Sequence, residues 1–258
     1  MGMKIQVLYL GKMEFPRFRL VECQSEETMV VSPAVAILIQ HPTLGNILYD
    51  TGNSEDFLKV YTKEMLHDYP ITENITIVEA LAKVGLTPED IDQIILSHLH
   101  FDHAGGLKHF VGTKAIQHVL VSEADLKQAW WAVTTGNGGA YIRELFDVEG
   151  IRFDTIADTT WLAEDLGLFI QASHTPGVIG MILKTEHNGT ILTTSDAIYT
   201  ADSYEKALPP GGTINKTTDE FFDNLKRIQA MRENYNATLL FGHDIDQILA
   251  WVNRGVID

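Results

Sequence analysis

Between residues 98 and 103 the chain reads His-Leu-His-Phe-Asp-His, placing three of its ten histidines and an aspartate in six consecutive positions. His98 and His100, two apart, fall on the same side of an extended segment. Asp102 and His103 follow Phe101 beyond a bend. Imidazoles and carboxylates at this density suit a divalent cation, zinc first, with iron, manganese or cobalt also chemically acceptable. Without a cation, imidazoles crowded together leave polar groups that are costly to bury. Two candidate ligands before the bend and two after it can feed two ions a few ångströms apart.

The elements around the cluster show how such ligands would be positioned. QIILSHLH reads as a buried strand running straight into it. GLFIQASHTPG and GMILKTEHNGTILTTSDA read as three strands, the last two joined by a turn at Asn188-Gly189, and ATLLFGHD as a final strand. His174, Asp196 and His243 therefore each follow an apolar strand, as the cluster itself does. Open sheets place ligand sites at such carboxyl ends. Upstream, KIQVLYL and residues 30–52 read as strands broken at Pro42 and the Leu44-Gly45-Asn46 turn.

Helical spacing over residues 74–86 begins at a Thr76–Glu79 capping box, and residues 86–90 open a short second helix with Pro88 at its first position. Residues 122–133 form a helix capped by Ser122, and residues 134–141 a glycine-rich flexible loop. Residues 219–234 form an amphipathic helix with Phe222, Leu225, Ile228 and Met231 or Arg232 at three- and four-residue steps. Alternating strands and helices make the class α/β or α+β.

Composition narrows the partners. The chain has 258 residues, 19 basic against 35 acidic, for a net charge of −16. Such a surface repels phosphate backbones and anionic lipid heads, so neither nucleic acid nor a membrane surface is expected as a partner. No apolar run approaches a membrane span, and the N-terminus reads as a first strand instead of a signal peptide. The single cysteine, Cys23, excludes an intrachain disulfide and fits a reducing, cytoplasmic compartment.

His98-x-His100-x-Asp102-His103, followed by Gly105 and Gly106, resembles the signature of the metallo-β-lactamase-fold hydrolases. His174 in ASHTPG, Asp196 in TTSDA and His243 in LFGHD match that family's remaining ligands. Asp50 in GNILYDTG resembles the Asp-Thr-Gly turn that packs beneath the metal loop. The resemblance implies one domain over residues 1–258, a four-layer αββα sandwich of two mixed β-sheets with helices outside. It also implies two divalent ions per chain: one held by His98, His100 and His174, the other by Asp102, His103 and His243, with Asp196 bridging them. A water shared by the ions would then attack a carbonyl.

Within that superfamily the resemblance is to the N-acyl-homoserine lactone hydrolases. HLHFDHAGG as a block, FGHD, and Tyr199 three residues after Asp196 all match. A glutamate would stand at His100 in the flavin-linked di-iron branch, and a cysteine usually at Asp196 in the zinc β-lactamases. Glyoxalase-II-type thioesterases carry a helical C-terminal extension, whereas here 258 − 243 = 15 residues follow His243.

By this resemblance Tyr199 hydrogen-bonds the substrate carbonyl, and Asp102 doubles as ligand and proton donor to the leaving alkoxide. Phe101, Trp130, Trp131 and Tyr141 are the candidate lining of the substrate pocket, although adjacent tryptophans on one helix point in different directions. Where many relatives carry a histidine after HTPG, this chain has Val178. The activity implied is opening of a small-molecule lactone, with another ester, thioester or pyridoxal-type lactone as the alternative. Monomer and homodimer both stay open.

Overall fold

The structure is a computed structural model that describes residues 2–22, 27–211 and 218–258, without the side chains of residues 218 and 219. Cys23 lies outside the described residues. Twelve strands are described: β1 (Lys4–Pro16), β2 (Met29–His41), β3 (Gly45–Tyr49), β4 (Ile71–Asn74), β5 (Gln93–Ile95), β6 (Val119–Ser122), β7 (Phe153–Ile156), β8 (Thr160–Ala163), β9 (Leu166–Gln171), β10 (Val178–Lys184), β11 (Thr190–Ser195) and β12 (Thr238–Phe241). They form a seven-stranded sheet in the order β4-β1-β2-β3-β5-β6-β7 and a five-stranded sheet in the order β12-β11-β10-β9-β8. Both are mixed: β3, β5, β6 and β7 run parallel, as do β11 and β12, while the other neighbours are antiparallel.

Strand periodicity explains how the layers stack. Successive side chains point to opposite faces, so Val35, Ile37 and Ile39 of β2 face the second sheet while Ala34, Ala36 and Leu38 face outward. On the second sheet Leu168, Met181, Ile191 and Leu240 point inward to meet them. The outer face of the first sheet is covered by the helices Ile77–Lys83 and Glu123–Thr134 through Ala80, Leu81, Ala129 and Ala132. The helix Thr218–Tyr235 covers the second through Phe221, Leu225 and Ile228. The result is the αββα sandwich that the resemblance implies.

Local signals account for most element ends. Thr76 and Glu79 form the capping box in full, and Ser122 caps the helix Glu123–Thr134 by accepting from Asp125 N–H. Two expectations need correction. The core face of the helix Thr218–Tyr235 carries fully buried Phe221, whereas Phe222 is 36% exposed. Phe221, Leu225 and Ile228 are spaced four and three apart, one stripe of a 3.6-residue period. The strand expected over QIILSHLH ends at Ile95, because beyond it the chain leaves the sheet to build the histidine cluster. Among the described residues no helix is long and apolar enough to cross a membrane.

Candidate metal centre

Four strand ends converge on one point between the sheets. His98 follows β5, His174 follows β9, Asp196 follows β11 and His243 follows β12. Asp50, just past β3, organises the first of these. Its backbone N–H bonds Ile95 O at 2.9 Å, and its carboxylate accepts from Ser97 N–H at 2.7 Å and reaches His103 Nδ1 at 2.9 Å. Phe101–Ala104 is one helical turn, which swings Asp102 and His103 past the bend.

That turn docks tightly on the Asp-Thr-Gly segment. Thr51 donates both its N–H (2.8 Å) and its hydroxyl (2.7 Å) to His103 O. Two glycines allow the approach: a Cβ on Gly105 would sit 2.3 Å from Ser54 N, and one on Gly106 2.4 Å from Thr51 O. Asp50, His174 and Ser195 all hold positive φ angles of 62°, 72° and 46°. Left-handed backbone at three non-glycine residues of one site is local strain that the surrounding packing must hold in place.

The ligand atoms fall into two groups. In the first, His174 Nε2 lies 3.1 Å from His98 Nε2 and 2.9 Å from His100 Nδ1. Asp196 Oδ2 stands 3.4 Å from His174 Nε2 and 3.8 Å from His98 Nε2. In the second, Asp196 Oδ1 stands 3.2 Å from His103 Nε2 and 3.1 Å from His243 Nε2. Asp102 Oδ2 completes it at 3.7 Å from His103 Nε2 and 4.0 Å from His243 Nε2. Four donors about 2.0–2.2 Å from a tetrahedral zinc are separated from one another by about 3.3–3.6 Å, which is the scale of these distances. Each oxygen of Asp196 addresses a different group.

The far sides of the rings are occupied, so their free nitrogens aim inward. Ser97 Oγ lies 3.0 Å from His98 Nδ1, Ser32 Oγ 2.7 Å from His243 Nδ1, and Tyr199 Oη 2.9 Å from His174 Nδ1. Such partners fix which nitrogen is left for a cation. Burial, reinforced by neighbouring imidazoles, holds His98 and His100 well below the usual histidine range, and burial brings His174 down to about 4. They are neutral at physiological pH, the form in which an imidazole can bind a cation.

Asp196 shows the opposite balance. Burial works to raise its carboxyl, but His243, His103, His174 and His98 together hold it well below the usual range. Burial would lower His103 and His243, yet Asp196 and Asp102 hold both above the ordinary value. Near Asp196 Oδ1, His103 Nε2 is shut off from solvent and makes no hydrogen bond of acceptable geometry. A buried nitrogen with nothing to bond is a costly arrangement, and a cation in the second group relieves it. The donor set therefore fits a metal.

A cavity of about 730 Å³ opens beside the first group, lined by His100, Phe101, Tyr141 and His174 together with Met65, Tyr69, Trp131 and the loop 137–140. Tyr199 stands over the centre, in the wall of a smaller recess shared with Phe101, Asp102, Asp196 and His243. Of the expected pocket residues, Trp131 lines the cavity and Trp130 does not. Trp130 packs into the core, edge-on to Phe146 at 5.4 Å. Adjacent helical residues point about 100° apart, so one tryptophan excludes the other. The loop 134–141 is tied down at its end, with Phe101 N–H bonded to Ala140 O at 3.0 Å. Val178 is fully buried at the start of β10.

Asp125 is the residue the sequence concealed. It looks like an acid in the first turn of a Ser-capped helix, a routine surface role. Its carboxylate instead turns inward to accept Leu99 N–H at 2.8 Å and Tyr141 O–H at 2.6 Å. Burial pushes it up to about 6 against the hydrogen bonds that favour its charge. Ser97, immediately before the cluster, and Ser32, in β2, likewise carry no pattern in the sequence that marks them as partners of the histidines.

Comparison with known proteins agrees with this geometry. The model of the metallo-beta-lactamase superfamily matches residues 29–243. An N-acyl homoserine lactonase from a Bacillus species is 31% identical over 209 residues, covering 79% of this chain and 78% of its own. The N-acyl homoserine lactonase AttM of Agrobacterium fabrum is 29% identical over 241 residues, covering 86% and 84%. A solved quorum-quenching N-acyl homoserine lactone hydrolase superposes with a TM-score of 0.80 at 26% identity, over 96% of this chain and 95% of that one. By fold, by ligand pattern and by sequence, the chain belongs to the metallo-beta-lactamase superfamily.

Proposed function

We propose that the protein is a di-metal hydrolase, of the zinc type, that opens a lactone ring, and that its substrate is an N-acyl-homoserine lactone. The observation that carries this is Asp196, whose two oxygens each stand between 3.1 and 3.8 Å from the nitrogens of a separate histidine pair. His98, His100 and His174 would hold one ion, Asp102, His103 and His243 the other, with Asp196 between. Two divalent ions held there supply an activated water at neutral pH and polarise the carbonyl.

The chain's own groups supply the rest. If His174 offers Nε2 to the metal, its Nδ1 carries the proton and donates to Tyr199 Oη. The phenol O–H is then free to bond the substrate carbonyl oxygen as negative charge develops on it. Asp102 would take up the proton released as water adds to the carbonyl and pass it to the alkoxide freed when the ring C–O bond breaks. The cavity volume lies within the range of small-molecule sites, and Met65, Tyr69, Phe101 and Trp131 offer an apolar wall for an acyl chain. The relatives named above share both the family and this class of substrate.

The decisive experiment is hydrolysis of a medium-chain N-acyl-homoserine lactone by zinc-loaded protein, followed by proton release, with chelated protein as the control. The expected kcat/KM exceeds about 10⁴ M⁻¹s⁻¹ and disappears on chelation. Trace turnover on this substrate alongside fast turnover of a thioester or simple ester moves the assignment to another hydrolase of the family.

A further inference from the structure

Asp125 has no part in the chemistry above, yet its side chain is completely buried and lies where three segments meet: the two that carry the first histidine group, around His98–His100 and His174, and the loop ending at Tyr141. One oxygen accepts the N–H of Leu99, the residue between His98 and His100, at 2.8 Å. The other accepts the Tyr141 hydroxyl at 2.6 Å, and the Tyr141 ring stands edge-on to His100 with centroids 4.4 Å apart. Thr175, next to His174, stands close enough for its hydroxyl to favour the charged form of the same carboxylate. The base of its helix is fixed to that third segment as well, since Ser122 Oγ donates to Gly177 O at 2.6 Å.

The second group is steadied by different residues. Asp50 Oδ2 lies 2.9 Å from His103 Nδ1, and Ser32 Oγ 2.7 Å from His243 Nδ1. Asp125 thus lies under the first half, whereas Asp50 lies under the second and also reaches the first through Ser97, whose N–H it accepts at 2.7 Å and whose hydroxyl stands 3.0 Å from His98 Nδ1.

We infer that Asp125 is a positioning residue for one half of the centre alone, setting the spacing of His98, His100 and His174 and hence the hold of that half on its ion. The inference rests on the metal reading proposed above. Pinning Leu99 N–H fixes the backbone on which both His98 and His100 hang. The Tyr141 bond and the Ser122–Gly177 bond close the remaining sides. Partners that orient metal ligands typically contribute 10–100-fold to affinity.

The test is metal content by mass spectrometry of zinc-loaded wild-type, Asp125→Ala, Asp125→Asn, Tyr141→Phe, Asp50→Asn and Asp125→Ala/Asp50→Asn proteins, dialysed against graded chelator, with cobalt-substituted spectra alongside. Wild type retains two ions. Asp125→Ala loosens one of them by about 10–100-fold and leaves the other in place. Asp125→Asn, which keeps an acceptor for Leu99, recovers part of that loss, and Tyr141→Phe, which keeps the ring and the fold, loosens the same ion less. In the double variant both ions are loose. Wild-type retention of both ions in Asp125→Ala and Tyr141→Phe overturns the inference. So does equal loss of both ions in Asp125→Ala, or a double variant that still grips one ion. Wild-type protein that retains no metal overturns the metal reading itself, and the inference with it.

Discussion

Tyr199 and His174 touch each other, and each limits what the other can do. The phenol is buried and held above its ordinary range by that burial and by the Asp196 charge, so it acts as a hydrogen-bond donor and not as a phenolate. Tyr199→Phe removes the donor while leaving the ring in place. kcat should fall about 10²-fold with KM changed far less, the signature of a contact made mainly in the transition state. Steady-state kinetics on the lactone separates the two, and a rise in KM at constant kcat would show that Tyr199 only binds substrate.

Asp125 makes a second prediction at this scale, one about pH. Its ordinary value of 3.8 is raised to about 6 in the folded chain, so the ionised form is penalised there. Below about pH 4 the group is protonated in both folded and unfolded chains and no penalty exists. As pH rises the unfolded chain ionises first, and stability is lost until the folded group ionises near pH 6. A shift of this size corresponds to about 3 kcal/mol. Urea unfolding of metal-free protein at several pH values should show wild type losing about that much relative to Asp125→Asn between pH 4 and 7. A constant difference across that range would rule this out. A residue that costs stability and yet holds the metal loop in shape belongs to a site, not to a core.

At the scale of elements, the close docking of the Phe101–Ala104 turn on the Asp-Thr-Gly segment rests on the two glycines that follow it. Gly106→Ala would press a methyl group against Thr51 O, 2.4 Å away, and backbone cannot yield as a side chain can. Overpacking of this kind costs about 1–3 kcal/mol, occasionally more. The variant should unfold at correspondingly lower urea and lose its second-group ion first. A variant with unchanged midpoint and metal content would mean that the turn can slide.

The same turn shows what was legible beforehand. His98, His100, Asp102, His103, His174, Asp196 and His243 stand at strand ends where residue type and apolar context announce them, and the structure brings all seven together. The layer order was expected from the family resemblance, and residue alternation along β2 agrees with it. Three kinds of feature did not show. The strands β4, β7 and β8 are only four residues each, too short for periodicity to mark. Phe221 and Phe222 are adjacent aromatics, and only packing against the sheet decides which is buried. Asp125 carries the pattern of a helix cap, and its inward turn depends on Leu99 and Tyr141, partners 26 and 16 residues away.

Across the whole molecule, the centre is a clasp between the two sheets. Asp50, His98, His100, Asp102 and His103 come from the first sheet and its loops, and His174, Asp196 and His243 from the second. Ions bound there favour the folded state by mass action, about 2.7 kcal/mol at a hundredfold excess over Kd. Chelation should therefore lower Tm by several degrees. Hydrogen exchange should accelerate at the ends of β5, β9, β11 and β12, while the inter-sheet core stays protected. Uniform acceleration would mean that the metals hold the entire fold together.

Tyr141 makes the side-chain contacts, whereas residues 137–140 before it are tied to the metal turn by the bond from Phe101 N–H to Ala140 O, backbone to backbone. A connection of that kind carries no memory of side-chain identity. Asn137, Gly138, Gly139 and Ala140 form one wall of the cavity, and Gly139 has open space where a side chain would begin. Its positive φ of 56° favours asparagine or aspartate among replacements. Descendants of this chain can therefore rewrite that wall, and with it what the cavity admits, while inheriting the ligands unchanged. For a laboratory library the same economy applies: diversity placed at 137, 139 and 140, with Gly138 kept because a Cβ there would sit 2.8 Å from Tyr141 O, explores substrates without re-solving the metal centre in every clone.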